Sequence, residues 1–231
     1  MTTSTAAAVQ AADRPVLPTL TPLTAPGLLL VVEGTDGAGK TTLIGQIGER
    51  LRAAGHDVLD TFQPTRSARA HEVFRGFSEI GGAQLELYRA LYLLTLGDRL
   101  YHAHAVMLPH LMNGGVVICD RYLYTTMANM LARGQEFEPW FVEAAGHLPQ
   151  PDLSVLVHCP VETAVERIRS RPEEAERPID LDHMGRVYES FRRLEAAGYL
   201  RGIDTSVTGI EATSDRVRQW ADEAFAAKAQ R

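Results

Sequence analysis

The fold is decided by residues 34–41, which read Gly34-Thr35-Asp36-Gly37-Ala38-Gly39-Lys40-Thr41. They fit the pattern G-x-x-x-x-G-K-[ST], in which glycines let successive backbone N–H groups curl around a polyphosphate. A continuous apolar run at 28–32 precedes them, as expected of a buried parallel strand, and an amphipathic run follows at 43–51. This order predicts a strand, a phosphate loop and a helix, and therefore a site for a nucleoside triphosphate.

The residue types of the loop suit a phosphate and a metal ion. Lys40 supplies a point charge for the outer phosphates, and the Thr41 hydroxyl can ligate Mg²⁺. The helix that follows directs the positive end of its dipole at the same anion.

Composition limits the class of protein. The chain has 231 residues, 45% of them hydrophobic, which is enough for one well-filled core. A formal net charge of −6 argues against a general nucleic-acid surface, and no run approaches the length of a membrane span. Cys119 and Cys159 end apolar runs, and we expect them to be buried, reduced thiols. We therefore expect a cytoplasmic protein that acts on a small molecule, without nucleic-acid or membrane partners.

Two regions differ in character. Residues 1–26 are rich in Ala, Thr and Pro and carry little charge, which predicts a disordered tail. In residues 27–231, strand-like runs near 28–32, 57–62, 116–119, 153–157 and 202–204 alternate with helical segments. The longest helical segment runs from about 83 to 112 and places Leu87, Leu91, Leu94 and Tyr101 on one stripe. This alternation predicts one α/β domain with a parallel sheet.

Polar residues follow three of these strands, and ligands of such sheets bind beyond the carboxyl ends of the strands. The residues in question are Asp36, Gln63, Arg66, Asp120, Arg121 and Tyr122. Asp120 is expected either to organise Mg²⁺ through water or to cap the next helix. Arg121 is expected either to bind a phosphate or to pair with Asp120 or Asp98.

Residues 166–178 form an arginine-rich, proline-broken segment. Arg169, Arg171 and Arg177 can close over a phosphoryl group in transit, although a solvated charged loop would have the same sequence. With Lys40 and Arg121, they form a set of cations larger than a simple triphosphatase needs. This density favours a kinase that holds two anionic substrates, and these five side chains are the predicted catalytic residues.

Several motifs resemble the thymidylate kinase family. They are the residues from Glu33 to Thr42, Leu96-Gly97-Asp98-Arg99, Asp120-Arg121-Tyr122, Pro151-Asp152-Leu153 and Cys159-Pro160-Val161-Glu162. The resemblance extends from about residue 28 to the C-terminus. It implies a P-loop NTPase three-layer sandwich, with a five-stranded parallel sheet of order 2-3-1-4-5 and a short arginine-bearing lid. It also implies transfer of the ATP γ-phosphate to a pyrimidine nucleotide, most simply dTMP, with Mg²⁺ and in a homodimer.

The resemblance also assigns site residues. ATP binding would use Gly34, Thr35, Asp36, Gly37, Ala38, Gly39, Lys40, Thr41, Thr42, Thr205 and Ser206. The acceptor would contact Asp36, Phe62, Gln63, Arg66, Thr95, Arg99, Arg121, Tyr122, Thr126 and Asn129. Mg²⁺ would be held by Thr41 and, through water, by Asp120.

The chain departs from the family pattern at three places, all on the acceptor side. Phe62 and Gln63 stand where the family has Arg-Glu before proline, and Thr95 stands where an aromatic residue stacks on thymine. Asn129 and the following methionine replace a Tyr-Gln pair. Stacking on an aromatic ring contributes about 1–3 kcal/mol per base, so Phe62 or Tyr124 would have to replace it. A kinase with another acceptor, either a modified nucleotide or a nucleoside, and a non-catalytic ATP-binding regulator are the alternative readings.

Overall fold

The computed structural model describes residues 18–76 and 85–230. Its five strands are β1 (Leu28–Glu33), β2 (Val58–Phe62), β3 (Val116–Asp120), β4 (Leu153–His158) and β5 (Arg201–Asp204). All neighbouring strands pair in parallel, in the order β2-β3-β1-β4-β5. The predicted α/β class and the strand order implied by the family resemblance are both confirmed.

Helices cover both faces of this sheet. Between β1 and β3 lie α1 (Lys40–Ala53), α2 (Arg66–Ala70), α3 (Glu72–Gly76), α4 (Leu85–His102), a π-helical turn (Ala103–Met107) and α5 (Leu108–Met112). The remainder are α6 (Leu123–Ala132), α7 (Pro139–Gly146), α8 (Val161–Arg169), α9 (Leu181–Ala196) and α10 (Ile210–Ala229). The long helix predicted near 83–112 is therefore α4, the π turn and α5 in succession.

Alternating side chains of the strands divide the core into two layers. Leu29 and Val31 of β1 belong to the layer that contains α6 and α9, whereas Leu28, Leu30 and Val32 face the layer with α1 and α10. All five side chains are buried, as a central strand covered on both faces requires. The apolar run before the phosphate loop thus fixes the loop at the centre of the sheet.

The strand register brings three strand ends to one edge. Val32 of β1 and Phe62 of β2 both pair with Asp120 of β3. The next residues along each strand therefore emerge side by side, and the phosphate loop after β1 lies next to the β2 and β3 ends. This is the edge at which the sequence placed its candidate site.

The predicted stripe on the long helix does not face the core. Leu91 is buried, but Leu87 is 40% exposed and Tyr101 is 73% exposed. The buried face of α4 instead carries Thr95 and Arg99, with apolar neighbours between them. The apolar stripe was therefore a wrong guide to the core, because polar residues occupy the inward face.

The residues directly before β1 were predicted to be disordered, but those at 18–26 pack on the domain. Leu20, Leu23 and Ala25 are buried, and Thr21 pairs with Pro149 in an isolated parallel bridge. The Thr21 amide donates to the carbonyl of residue 148 at 3.0 Å. The expected boundary at residue 26 is thus wrong for 18–26, which pack on the domain, and residues 1–17 lie outside the described part of the chain.

Two further expectations can be compared with the structure. Cys119 and Cys159 are both buried and free, and β1 separates their strands. This agrees with the prediction of unbridged thiols. Among residues 18–76 and 85–230, no helix is long and apolar enough to cross a lipid bilayer.

Candidate active site

The phosphate loop needs glycine at its turns. Gly34, Gly37 and Gly39 have φ values of 143°, 79° and 99°, a region that side chains with a Cβ rarely enter. A Cβ on Gly34 would stand 2.1 Å from the Val157 carbonyl oxygen, and one on Gly37 would stand 2.3 Å from the Ala164 oxygen. The loop therefore packs directly on β4 and α8, which fixes the cradle in place.

Lys40 closes the cradle from within. Its ammonium donates to the carbonyls of Gly34 at 3.1 Å and Thr35 at 2.8 Å. The pKa of Lys40 is lowered to about 7, first by burial and then by the charge of Arg121, against the opposing carboxylates nearby. A buried ammonium that holds only two carbonyls is poised to bind an anion.

A support behind the loop comes from a residue that the sequence did not single out. Arg167 of α8 donates to the Gly37 carbonyl at 3.4 Å, to the Thr205 hydroxyl at 2.9 Å and to the Thr205 carbonyl at 2.8 Å. Thr205 in turn donates to the Ala38 carbonyl at 2.8 Å. Thr205, expected near the adenine, thus lies against the phosphate loop. Arg167 lies on the face of α8 that contacts the phosphate loop. In the sequence, the position of Arg167 on that helical face was the signal that could have indicated this role.

Asp36 joins three parts of the molecule. Its carboxylate accepts from Arg121, which follows β3, at 2.5 Å and from Arg177 of the arginine-rich segment at 3.1 Å. Burial raises the pKa of Asp36, but the charges of Arg121, Lys40 and Arg177 together hold it below its usual value. The loop, the β3 end and the segment at 166–178 therefore meet at one carboxylate. Arg121 pairs with Asp36 rather than with Asp120 or Asp98.

A buried glutamate holds Arg121 in this position. Arg121 has φ 68°, an uncommon conformation for a residue other than glycine. Glu33, fully buried at the end of β1, accepts from the Tyr122 amide at 2.8 Å, the Thr125 amide at 3.3 Å and the Thr125 hydroxyl at 2.5 Å. Burial raises the pKa of Glu33 despite these hydrogen bonds. The Arg121 guanidinium then reaches the Gly34 carbonyl at 3.0 Å.

The β3 end also offers an uncommitted acceptor. Oδ1 of Asp120 is buried and has no hydrogen-bond partner among the described residues. Asp120 does not cap the next helix, because the residue before that helix makes no side-chain capping bond and the free oxygen remains. An orphaned carboxylate oxygen at this edge fits a hydrated Mg²⁺. The part of the chain that the structure describes holds no group of three acidic, His or Cys ligands, so such an ion would need phosphate oxygens as well.

Two predicted acceptor residues do not face the site. Tyr122 is fully buried in the core, and its hydroxyl donates to the Pro149 carbonyl at 2.9 Å. Thr126 is also buried, whereas its neighbour Thr125 contacts Glu33 and accepts from Arg121 at 3.3 Å. The Tyr122 and Thr126 side chains thus point away from the site in this structure, and their assignment to the acceptor stays a prediction. The helical phase of α6 turns Thr125 toward the site and Thr126 away from it.

The α4 residues lie deeper than expected. Arg99 is 1% exposed and donates to the carbonyls of Tyr122 at 3.3 Å and Thr95 at 3.1 Å. Burial lowers the pKa of Arg99 to about 10, against the charge of Glu33. The Thr95 hydroxyl donates to the Tyr92 carbonyl in its own helix at 3.3 Å. Arg99 thus ties α4 to the turn that carries Arg121.

The β2 end differs from the family pattern in structure as well as sequence. Gln63 is buried, and its amide contacts the His102 ring at 3.1 Å. Phe62 is partly buried and lies under the guanidinium of Arg69, 4.9 Å from the ring centroid. The predicted Arg66 is exposed in the first turn of α2, and its side chain forms no hydrogen bond or ion pair with the described site residues. Arg69, one turn later, is the arginine that returns to the strand end.

The Asn129 and Tyr124 side chains of α6 point to different parts of the molecule. Asn129 lies one turn after Thr125 and donates to its carbonyl at 2.8 Å. Its own oxygen lies 3.2 Å from a ring nitrogen of His183, in the first turn of α9. Tyr124 instead lines a separate cavity of about 390 Å³ with Trp220, by the amino ends of β4 and β5. Tyr124 therefore cannot replace the missing aromatic residue of the acceptor site.

The other arginines of the segment do not converge. Arg169 donates to the Ala175 carbonyl at 3.4 Å, and Arg171 pairs with Glu174 at 2.9 Å. Of the three arginines of this segment that were predicted to be catalytic, Arg177 is the one that reaches the phosphate loop, through Asp36. Ser206, at the end of β5, bonds to Asp204 beside it at 2.5 Å and remains exposed. The segment is therefore anchored at its C-terminal end.

Known proteins are similar to this chain in sequence over most of its length. A family model described as thymidylate kinase matches residues 32–216. The chain is 33% identical over 189 residues to a probable thymidylate kinase of Pyrococcus abyssi, covering 77% of this chain and 91% of the relative. It is 33% identical over 184 residues to a thymidylate kinase of Desulfotalea psychrophila, covering 78% and 87%, and 32% identical over 203 residues to one of Pelobacter propionicus, covering 83% and 92%. The chain belongs to the thymidylate kinase family.

Proposed function

We propose that this enzyme transfers the γ-phosphoryl group of ATP to dTMP, forming ADP and dTDP. The observation that carries the proposal is the carboxylate of Asp36, shared between Arg121 and Arg177. The donor loop, the arginine after β3 and an arginine of the segment at 166–178 meet there. A triphosphatase has no need of such a junction, whereas in-line transfer between two nucleotides requires cations on both sides of the reacting phosphate.

On the donor side, the phosphate loop would bind ATP through its backbone amides and Lys40. The Lys40 ammonium would exchange its hydrogen bonds to the Gly34 and Thr35 carbonyls for hydrogen bonds to phosphate oxygens. The negative charge of the phosphate would raise the pKa of Lys40 and keep it protonated. Arg167 and Thr205 hold the loop rigid from behind. This preorganisation lets the loop stabilise charge that develops during transfer. The adenine would then lie toward Thr205 and Ser206, the two residues after β5.

Mg²⁺ would be held by the Thr41 hydroxyl and, through water, by the free oxygen of Asp120. When bound, it neutralises phosphate charge and holds the donor phosphates in line with the acceptor. Arg121 would turn from Asp36 to the acceptor phosphate. Arg177 would move from Asp36 to the transferred group, and Arg169 and Arg171 would follow if the segment closes over the site.

On the acceptor side, the nucleotide would lie between α4 and α6. Asp36 would face its sugar, and Asn129 would offer its amide to the base edge. The family resemblance also assigns other residues to the acceptor. These are Phe62, Gln63, Arg66, Thr95 and Arg99, and they differ in burial and in hydrogen bonding. Phe62 is partly exposed at the strand end, whereas Gln63 and Arg99 act through hydrogen bonds to neighbours.

The test is product formation by the purified protein. It is incubated with ATP, Mg²⁺ and a panel of nucleosides and nucleoside monophosphates, and the products are separated by chromatography. We expect dTDP from dTMP as the fastest reaction, abolished by chelation of the metal and reduced at least 100-fold in Lys40→Ala. Phosphorylation of a nucleoside or a modified nucleotide in preference to dTMP would overturn the acceptor. ATP binding without any product would instead indicate a non-catalytic regulator.

We also propose that two copies associate through α4. Its outer face carries Ala90, Leu93, Gly97 and Tyr101 at helical spacing, with Leu93 57% exposed. Beyond its own helix, nothing in the described part of the chain lies within 4 Å of a Cβ built on Gly97, so a second helix can approach closely there. Light scattering should report a dimer for the wild type and a monomer for Leu93→Asp. Substitution by Asp of Val207, an apolar residue that is 82% exposed after β5, is the control, and a monomeric wild type contradicts the proposal.

A further inference from the structure

Arg69 is an arginine held in place by the β2 end. Its Nε donates to the Pro64 carbonyl at 2.8 Å, and one terminal nitrogen donates to the Gln63 carbonyl at 3.4 Å. Its guanidinium lies over the Phe62 ring, 4.9 Å from the centroid. The other terminal nitrogen, Nη1, has no hydrogen-bond partner among the described residues. The side chain is thus oriented by three contacts and still has a donor to offer.

The charge of Arg69 lies in the electrostatic field of the active site. Its pKa is lowered, first by burial and next by the charge of Arg121, while Asp120, Asp36 and Asp98 oppose the shift. The strand register agrees with this placement, because Phe62 pairs directly with Asp120. Two arginines from different elements therefore approach the same strand ends, and their repulsion favours an anion between them.

The chemistry of this pair suits a phosphate monoester. Guanidinium groups bind phosphate oxygens through planar, charge-assisted hydrogen bonds, and one held on an aromatic face loses little freedom when it binds. Phe62 stands where the family pattern has an arginine, so the cation of that position is absent from β2. We propose that Arg69, placed on the Phe62 ring, binds the acceptor phosphate together with Arg121 and supplies the missing charge. This inference rests on the proposed function, because it assumes a monophosphate acceptor.

The proposal separates phosphate recognition from the rest of acceptor binding. Calorimetry would measure the affinities of dTMP, thymidine and ATP for the wild type and for Arg69→Ala. Since hydrogen bonds to charged groups contribute roughly 1.5–3 kcal/mol, we expect dTMP to bind about 10- to 100-fold more weakly. Thymidine and ATP should bind within about 2-fold of the wild type, because neither would contact Arg69. Arg69→Lys should recover only part of the loss, since an ammonium cannot reproduce the planar contacts.

Two other arginine variants sharpen the test. Arg216→Ala removes an exposed arginine of α10 and should leave all three affinities unchanged. Arg66→Ala tests the arginine that the sequence favoured. If Arg66→Ala weakens dTMP and Arg69→Ala does not, the assignment to Arg69 is overturned. An equal loss of dTMP and thymidine in Arg69→Ala, with an unchanged thermal midpoint, would also overturn it, because it would show a structural effect on the whole pocket.

Failure of the proposed function gives a different result. If the wild type binds no dTMP, the acceptor assignment fails, and the same comparison is made with the monophosphate that the substrate panel identifies and its parent nucleoside. Arg69 is then supported if only the monophosphate loses affinity in Arg69→Ala. If the panel identifies an unphosphorylated nucleoside as the acceptor, both the proposed function and the role of Arg69 are refuted.

Discussion

Removal of the Glu33 carboxylate should weaken both the fold and the site. Glu33 is fully buried and accepts hydrogen bonds from two backbone amides and one hydroxyl at the start of α6. In Glu33→Ala the amides of Tyr122 and Thr125 lose their acceptor. A buried donor left unsatisfied costs about 1–3 kcal/mol, so we expect Glu33→Ala to lower the free energy of unfolding by about 2–5 kcal/mol. This is a large part of the total stability of a typical domain.

The isosteric variant Glu33→Gln is the matched control. Its amide oxygen can still accept from the two backbone amides, and its NH₂ group can donate to the Thr125 hydroxyl. We therefore expect a loss of less than about 1.5 kcal/mol at pH 7. Urea unfolding at constant slope measures both variants. If Glu33→Ala costs less than 1 kcal/mol, or if the two variants cost the same, the hydrogen-bond argument is wrong.

The pH dependence gives an independent check. Burial raises the folded-state pKa of Glu33 above its ordinary value of 4.5. A carboxyl whose folded pKa is raised contributes stability that is present below the unfolded pKa and lost as pH rises through the folded pKa. Because glutamine mimics the protonated form, the cost of Glu33→Gln should grow as the pH falls from neutrality toward 4.5. A cost that shrinks over this range would refute the raised pKa.

Activity should follow the same order. Without Glu33, the turn that holds Arg121 in its left-handed conformation loses its anchor. We expect kcat/KM for dTMP to fall at least 10-fold in Glu33→Ala and less in Glu33→Gln, at a temperature where both are folded. Binding of ATP, measured separately, should change little. Equal losses of ATP and dTMP binding would show that Glu33 supports the whole domain rather than the Arg121 turn.

Three further predictions test other parts of the site. Because the pKa of Lys40 is about 7 in the free protein, ATP binding at pH 8 should take up close to one proton and at pH 6 much less, as calorimetry in buffers of different ionisation enthalpy will show. Gly37→Ala should lower the free energy of unfolding by about 2 kcal/mol or more, since its Cβ meets a backbone oxygen of α8 and its φ is positive, whereas Gly45→Ala, in open space on α1, should raise it by up to about 1 kcal/mol. Tyr122→Phe should cost about 1 kcal/mol of stability through the lost bond to Pro149 and leave the KM for dTMP within 2-fold, and a large KM change would restore Tyr122 to the acceptor site.

The donor half of the site was predictable because its determinants are local. The glycines of the loop, Lys40 and the apolar strand before them are consecutive in sequence, and each has a backbone or charge requirement that few residue types meet. The structure places Gly34 and Gly37 at positive φ, with Lys40 closing the loop over its carbonyls. The sheet order followed from the family resemblance, and the alternation of strands and helices already limited the choices.

The acceptor half was less predictable because its side chains are selected by helical phase and by contacts between distant elements. Thr125 and Thr126 are chemically the same, and only the rotation of α6 against Glu33 decides which faces Arg121. Arg66 and Arg69 differ in the same way on α2, where the aromatic face of Phe62 holds the second. A sequence pattern predicts which residue types lie near a strand end. It does not predict which residues of the following helix face the site.

The substitutions at the β2 end are therefore better understood together than singly. With arginine at position 62, a cation would project from the strand itself, and a second one from α2 would add repulsion. With Phe62 the strand offers an aromatic surface instead, and α2 can bring Arg69 onto it without a competing charge. On this view, Phe62→Arg would restore the family cation but displace Arg69, so the double change Phe62→Arg with Arg69→Ala should bind dTMP more tightly than Arg69→Ala alone. If the double variant binds no better than Arg69→Ala, the two positions do not share one phosphate-binding role.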